Sequence, residues 1–204
     1  MTTRMPSLFS HVPPYPGDPI LSLMEAFQHD PRPAKVSLSI GLYFDEQGRL
    51  PVLDSVRQAA NAVAGNLAPS GYLPIEGMPH YRQLVQNLVF GADHAAVREQ
   101  RIATLQTVGG SGALKVGADF IKRYFPDAEV WASDPTWENH VSIFEGAGLR
   151  THSYPYYDPA TGGLRFDAML ADLRRLPQGS VVLLHASCHN PTGVDLSREQ
   201  WQQL

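Results

Sequence analysis

Four short segments carry residue types that do chemistry on a ligand. GGSGALK, residues 109–115, sits between an apolar run and an amphipathic one. Glycines let a backbone approach a ligand closely. The free N–H groups of a helix's first turn, at the positive end of its dipole, suit an anion such as a phosphate. Ser111 adds a hydroxyl. SDPTWENH, residues 133–140, places Trp137 at the carboxyl end of a strand, where an indole can stack on a flat ring. HASCHNPTG, residues 185–193, runs from a strand into a sharp Asn-Pro turn, and Asn190 offers both a donor and an acceptor. His185 and His189 stand beside it as supporting groups. As metal ligands they lack partners, because only Cys188 falls at a ligand spacing, and no metal site is expected. SGYLPIEG, residues 70–77, holds Tyr72 in a loop suited to a site or a subunit interface.

Taken singly, each segment has a plainer explanation: a tight strand-to-helix turn, a core tryptophan, an Asn-Pro turn, a loop tyrosine. Together they say more. Three of them close successive strands, and they bring an anion cradle, a stacking surface and a polar amide. That set suits a phosphorylated aromatic cofactor. It is neither a Walker A loop nor a dinucleotide fingerprint, since GxxxxGK[ST] and GxGxxG are absent.

These residues need a scaffold, and the rest of the chain describes one. Of 204 residues, 43% are apolar and 18% charged, enough apolar mass for a core and unlike a disordered chain. Sixteen basic against twenty acidic side chains give a net charge of −4, which argues against a general nucleic-acid binder. The lone Cys188 excludes an intrachain disulfide and fits a reducing compartment. With no apolar run near the ~20 residues of a membrane helix and no leader-like start, a cytoplasmic protein is expected.

Residues 1–18, rich in proline, read as an extended arm. A helix follows, with Ile20, Leu23, Met24 and Phe27 on one face. A short strand is expected in KVSLSIGLYFDE, then helices in VLDSVRQAANAVAGNL and HYRQLVQNLVFG. From residue 101 strands and helices alternate: strand RIATLQTVGG, helix SGALKVGADFIKRYF with Leu114, Ala118, Ile121 and Phe125 on one side, strand AEVWASDPTW, helix ENHVSIFEGAG, extended LRTHSYPYY, helix RFDAMLADLRRL, buried strand SVVLLH. Alternation of this kind implies an α/β fold with a mostly parallel sheet flanked by helices. Ser197 and Gln200 read as a capping box for a last helix. Because that helix ends at Leu204 after about two turns, the chain is expected to be the N-terminal part of a longer one.

SIGLY, YLPIEG, FGADH, GGSGALKVGADFIKRYFP, SDPTWENH and CHNPTG, in this order, resemble the class I (fold-type I) pyridoxal-phosphate aminotransferases, in the aspartate/aromatic amino-acid group and nearest its bacterial aromatic members. The resemblance runs from about Asp18 to Leu204 and covers about half of a family member. It implies an arm (1–18), a segment of the small domain and its connection (19–50), and an incomplete cofactor-binding large domain (51–204). It implies that Gly110 and Ser111 bind the phosphate of pyridoxal 5'-phosphate, that Trp137 stacks on its ring, and that Asn190 hydrogen-bonds the ring's O3′. Tyr72 would reach the phosphate in the neighbouring subunit of a homodimer. Gly41 would lie against the substrate carboxylate, with Trp137, Asn190 and Tyr72 also bordering the substrate. His140, His185 and His189 would stand behind the ring-nitrogen side. Cis peptides are implied at Asp134-Pro135 and Asn190-Pro191.

The implied reaction is transamination between an aromatic amino acid (tyrosine, phenylalanine) and 2-oxoglutarate. The alternatives are an aspartate aminotransferase and, in another class, a non-catalytic phosphate- or cofactor-binding module. The family's Schiff-base lysine lies in a later Ser-x-Ser-Lys segment that these residues lack. Lys35, Lys115 and Lys122 are the only lysines, and none matches that position. No catalytic residue is therefore expected within this chain, and the chain alone is expected to be inactive.

Overall fold

The structure is a computed structural model, and it describes residues 7–14, 19–65 and 71–204. Pro6, Pro16, Gly17, Asp18 and the side chain of Ile20 lie outside the described residues. The chain divides into two units, one within residues 1–70 and the other over Gly71–Leu204.

The first unit contains helices α1 (Pro19–His29) and α2 (Asp54–Gly65). Met24 and Phe27 are partly covered, whereas Leu23 is exposed. Lys35 closes α1: its Nζ donates to the carbonyls of Phe27 (2.6 Å) and Asp30 (2.7 Å) and lies over the Phe27 ring. Such a cation satisfies acceptors that a helix end leaves open. The strand expected in residues 35–46 does not form. A strand needs a neighbour for its backbone groups, and no described residue pairs with this one. The stretch instead ends in a turn built on Asp45, whose carboxylate accepts the N–H groups of Gln47 and Arg49.

The second unit carries helices α3 (Pro79–Phe90), α4 (Ala95–Arg98) and α5 (Gly109–Tyr124). Strand β1 (Glu129–Asp134), helix α6 (Glu138–Gly146), strands β2 (Arg150–Pro155), β3 (Tyr157–Asp158) and β4 (Gly163–Leu164), helix α7 (Phe166–Leu173), strand β5 (Val181–Val182) and helix α8 (Arg198–Gln203) follow. The main sheet has the order β2-β1-β5 and is parallel throughout. Period-2 alternation along β1 sends Val130 to one face and Trp131 to the other. On the first face Val130 packs with Ala118, Phe144 and Leu149, joined by Leu114 and Ile121 of α5. On the second, Tyr154, Tyr156, Met169 and Leu196 gather with Trp131 and Trp201. Helices thus cover both faces, and the expected α/β architecture is present.

Three expectations need correction. Phe125 does not join Leu114, Ala118 and Ile121: it caps α5 with φ −135 and is exposed, having left the helical spacing that aligned it. The strand expected in residues 180–185 pairs only at Val181–Val182, with one further bond from Leu183 N–H to the Trp131 carbonyl. Residues 101–107 form no ladder among the described residues. They are held by the Gln86 side chain and by one backbone bond instead. Gln86 donates to the Ile102 carbonyl and to Thr104 Oγ1, and Gln106 N–H donates to the Glu76 carbonyl (2.9 Å).

Candidate active site

Four residues separate the end of helix α5 from the start of β1, so the helix runs back along the sheet and opens at the strands' carboxyl end. It starts earlier than the sequence suggested, at Gly109 itself, whose φ of +65 suits a residue without a Cβ. Val108, the N-cap, provides no side-chain bond, while the Gly109 N–H donates to the Thr107 carbonyl at 3.1 Å. A Cβ on Gly110 would meet nothing within 4 Å among the described residues. Packing therefore does not demand glycine there, and the space in front of the backbone is open. Ser111 is exposed in the same turn.

The loop before α3 is fastened to the lead-in of this turn. Met78 N–H donates to Gln106 Oε1 (2.9 Å), the reciprocal of the Gln106–Glu76 bond. Gly77 makes the approach possible. Its φ is +91, and a Cβ there would stand 2.2 Å from Gln106 Cβ. Tyr72, on the same loop, projects fully into solvent.

At the ends of β1 and β5 the rings form a continuous series. Trp137, the N-cap of α6 and half-buried, meets His140 edge-on at 5.2 Å between centroids. His140 meets His185 edge-on at 5.0 Å, His185 stacks on His189 at 4.2 Å, and His189 stacks on Tyr156 at 3.9 Å. Hydroxyls pin these rings. Thr136 Oγ1 lies 2.8 Å from His140 Nδ1; Ser133 Oγ lies 2.9 Å from His189 Nε2, and Thr192 Oγ1 lies 2.8 Å from His189 Nδ1. Asn190 is exposed, and its N–H donates to His185 Nδ1 (3.1 Å). His185 Nε2 then carries the proton, and it is buried with no hydrogen-bond partner among the described residues. Asp134-Pro135 and Asn190-Pro191 are both cis, as the resemblance implied.

Electrostatics follow from burial. Burial, then the neighbouring His185, holds His140 below the usual imidazole range. His185 is lowered by burial against the opposing pull of Asp195. His189 is pushed down to about 4, by burial first and His185 second. All three rings are neutral at pH 7. Burial raises the Tyr154 and Tyr156 hydroxyls to about 12, and they donate to the Leu183 and Val194 carbonyls.

The fold thus brings Trp137, His140, His185, His189 and Asn190 together, and it places Gly110, Ser111 and Tyr72 on elements tied to one another. Gly41 is exposed in the first unit. Sequence reasoning missed Ser133, Thr136, Thr192, Tyr156 and Asp195. Two of these had a legible signal: Thr136 lies four residues before His140, one helical turn away, and Ser133 shares the Trp131 face by strand parity. No group of three or more metal-ligating side chains occurs among the described residues. None of the described helices is long and apolar enough to cross a membrane.

The chain is 57% identical to the aromatic-amino-acid aminotransferase of Escherichia coli K12 over 200 residues, 97% of this chain and 50% of that protein. It superposes on an aromatic amino acid aminotransferase from Burkholderia cenocepacia J2315 with a TM-score of 0.92 and 63% identity, over 97% of this chain and 50% of the other. A Burkholderia pseudomallei aromatic-amino-acid aminotransferase covalently bound to pyridoxal phosphate matches with a TM-score of 0.92 and 50% identity, over 97% and 49%. The chain spans about half the length of the curated relatives it matches. With the model of the family "Aminotransferase class I and II" matching residues 33–204, the chain belongs to the class I and II aminotransferases.

Proposed function

We propose that the protein carrying this chain is a pyridoxal-phosphate aminotransferase. It exchanges the amino group of an aromatic amino acid, tyrosine or phenylalanine, with 2-oxoglutarate, as a cytoplasmic homodimer. Residues 1–18 are its arm, 19–50 part of its small domain and 51–204 part of its cofactor-binding domain. The observation that carries this reading is the ring series at the strand ends, with a half-buried indole at one end and three neutral histidines behind it. The residues present fit the cofactor. A helix start without a side-chain cap beside an open glycine suits a phosphate, the indole suits a flat heterocycle, and the buried His185 Nε2–H, unpartnered among the described residues, awaits an acceptor.

When bound, pyridoxal phosphate supplies an electron sink for the charge that develops at the substrate Cα. Gly110 and Ser111 bind the phosphate through N–H and hydroxyl donors. Trp137 covers one face of the ring and keeps water from it. Asn190 donates to the ring hydroxyl oxygen, and the neutral histidines add no positive charge behind the ring. Tyr72 serves the neighbouring subunit's phosphate, and Gly41 lets the substrate carboxylate approach.

The lysine that carries the proton at Cα lies outside these residues. Lys115 pairs with Asp119, Lys122 Nζ donates to the Pro126 carbonyl, and Lys35 closes α1. The chain alone is thus expected to be inactive. Full-length protein is expected to turn over tyrosine and phenylalanine faster than aspartate with 2-oxoglutarate. Trp137→Ala and Ser111→Ala are each expected to weaken pyridoxal phosphate binding about tenfold or more, as the loss of one stacking or charge-assisted contact requires. Wild-type affinity in both variants, measured by titration, would refute this assignment, and aspartate turned over fastest would correct the substrate.

A further inference from the structure

Asp195 is exposed and lies five residues past Asn190, yet its carboxylate reaches back across the turn that carries the site. Oδ2 accepts the Cys188 N–H and Oδ1 accepts the His189 N–H, both at 2.8 Å. Cys188 is one of two described non-glycine residues with positive φ, at 53. That conformation disfavours an L side chain and persists only where the surroundings hold it. The next peptide along is Asn190, whose N–H must point at His185 Nδ1 for the 3.1 Å bond to form. Gly193 N–H closes the same turn on the His189 carbonyl at 2.7 Å. One carboxylate therefore fixes two consecutive amides immediately ahead of the amide that decides which nitrogen of His185 carries the proton.

We infer that Asp195 is a positioning residue: by clamping the Cys188 and His189 amides it sets the direction of the Asn190 amide, and through it the Nε2–H tautomer of His185. The role of Asn190 and His185 toward a cofactor rests on the function proposed above, but the clamp and the tautomer do not. A carboxylate is required because both partners are donors. An asparagine in its place offers one oxygen and turns an NH2 group towards the second N–H, losing one of two charge-assisted bonds.

The test uses full-length protein labelled with 15N-histidine, without cofactor, as wild type, Asp195→Asn and Asp195→Ala. Wild type is expected to show a His185 with a bare Nδ1 and a protonated Nε2 at neutral pH. Both variants are expected to show a mixture of tautomers, and hydrogen exchange over residues 188–190 at least about tenfold faster, the change that loss of one such bond brings. Their affinity for pyridoxal phosphate should fall by a similar factor, with the urea midpoint serving as the control for global stability. A wild-type His185 protonated at Nδ1 overturns the inference without any variant having to fold. A single unchanged tautomer and unchanged exchange in both variants also overturns it, and then wild-type binding of pyridoxal phosphate leaves the proposed function standing. Failure of wild type to bind pyridoxal phosphate sinks the proposed function instead, while the tautomer measurement still decides the role of Asp195.

Discussion

His189 shows how few choices a buried imidazole has. Only 2% of its surface is exposed, and hydroxyls meet both ring nitrogens. Protonation would put a charge where there is no solvent, and Asp195, which holds the backbone N–H rather than the ring, only partly offsets that cost, so the neutral form is held down to about pH 4. The sign of the stability effect follows. Unfolded histidine titrates near 6.5, so below that pH the unfolded chain binds a proton that the folded ring refuses. Stability is complete above about pH 6.5 and falls as the pH drops towards 4, by at most about 1.4 kcal/mol per pH unit from this residue. His140 and His185 shift in the same direction. The lowered carboxylates, such as Asp195 and Asp158, act at more acid pH and leave this window to the histidines. Urea midpoints at pH 7.5 and 5.0 measure the slope. Replacing His189 by glutamine should flatten it, and an unchanged slope would contradict the account.

At the scale of elements, the tightest steric condition is at Gly77. Its positive φ and its contact with Gln106 leave no room for any side chain. Gly77→Ala should destabilise the protein by about 2 kcal/mol or more, through strain and a displaced loop. Gly110→Ala, with open space at its Cβ, should cost little stability. Denaturant unfolding of the two variants side by side tests the contrast. The elements legible in the sequence were those with their own internal signals. Residues 54–65, 79–90, 138–146 and 166–173 carry helical spacing, and α8 carries a capping box that the structure forms in full. Residues 35–46 and 101–107 carry strand composition but lack described strand partners, and composition does not reveal pairing. The same limit governed the site. Trp137, His140, His185, His189 and Asn190 were legible from their motifs, whereas Asp195 and Tyr156 join through turns and stacking that no local period encodes.

For the molecule as a whole, the second unit leaves apolar side chains uncovered. Leu88 of α3 is 85% exposed, Phe120 and Tyr124 of α5 are 56% and 59%, and Val108 before α5 is 94%. Patches of this kind mark surfaces that other protein covers. The chain of 204 residues on its own should therefore self-associate at micromolar concentration and bind an apolar dye. Light scattering that shows a dye-silent monomer would count against this. Phe120→Ser with Tyr124→Ser should reduce association without disturbing Ala118, which faces the core from the same helix.

The fastening at Gln106 has a mechanical corollary. Glu76 and Met78 grip a residue three positions ahead of Gly109, and the intervening Thr107 folds its hydroxyl onto the Gly109 carbonyl. The tyrosine loop and the mouth of α5 are thus joined through Gln106. In the homodimer proposed above, a subunit that shifted its neighbour's Tyr72 would also pull on the turn that opens the neighbour's α5, so the two proposed phosphate sites would feel each other through one side-chain amide.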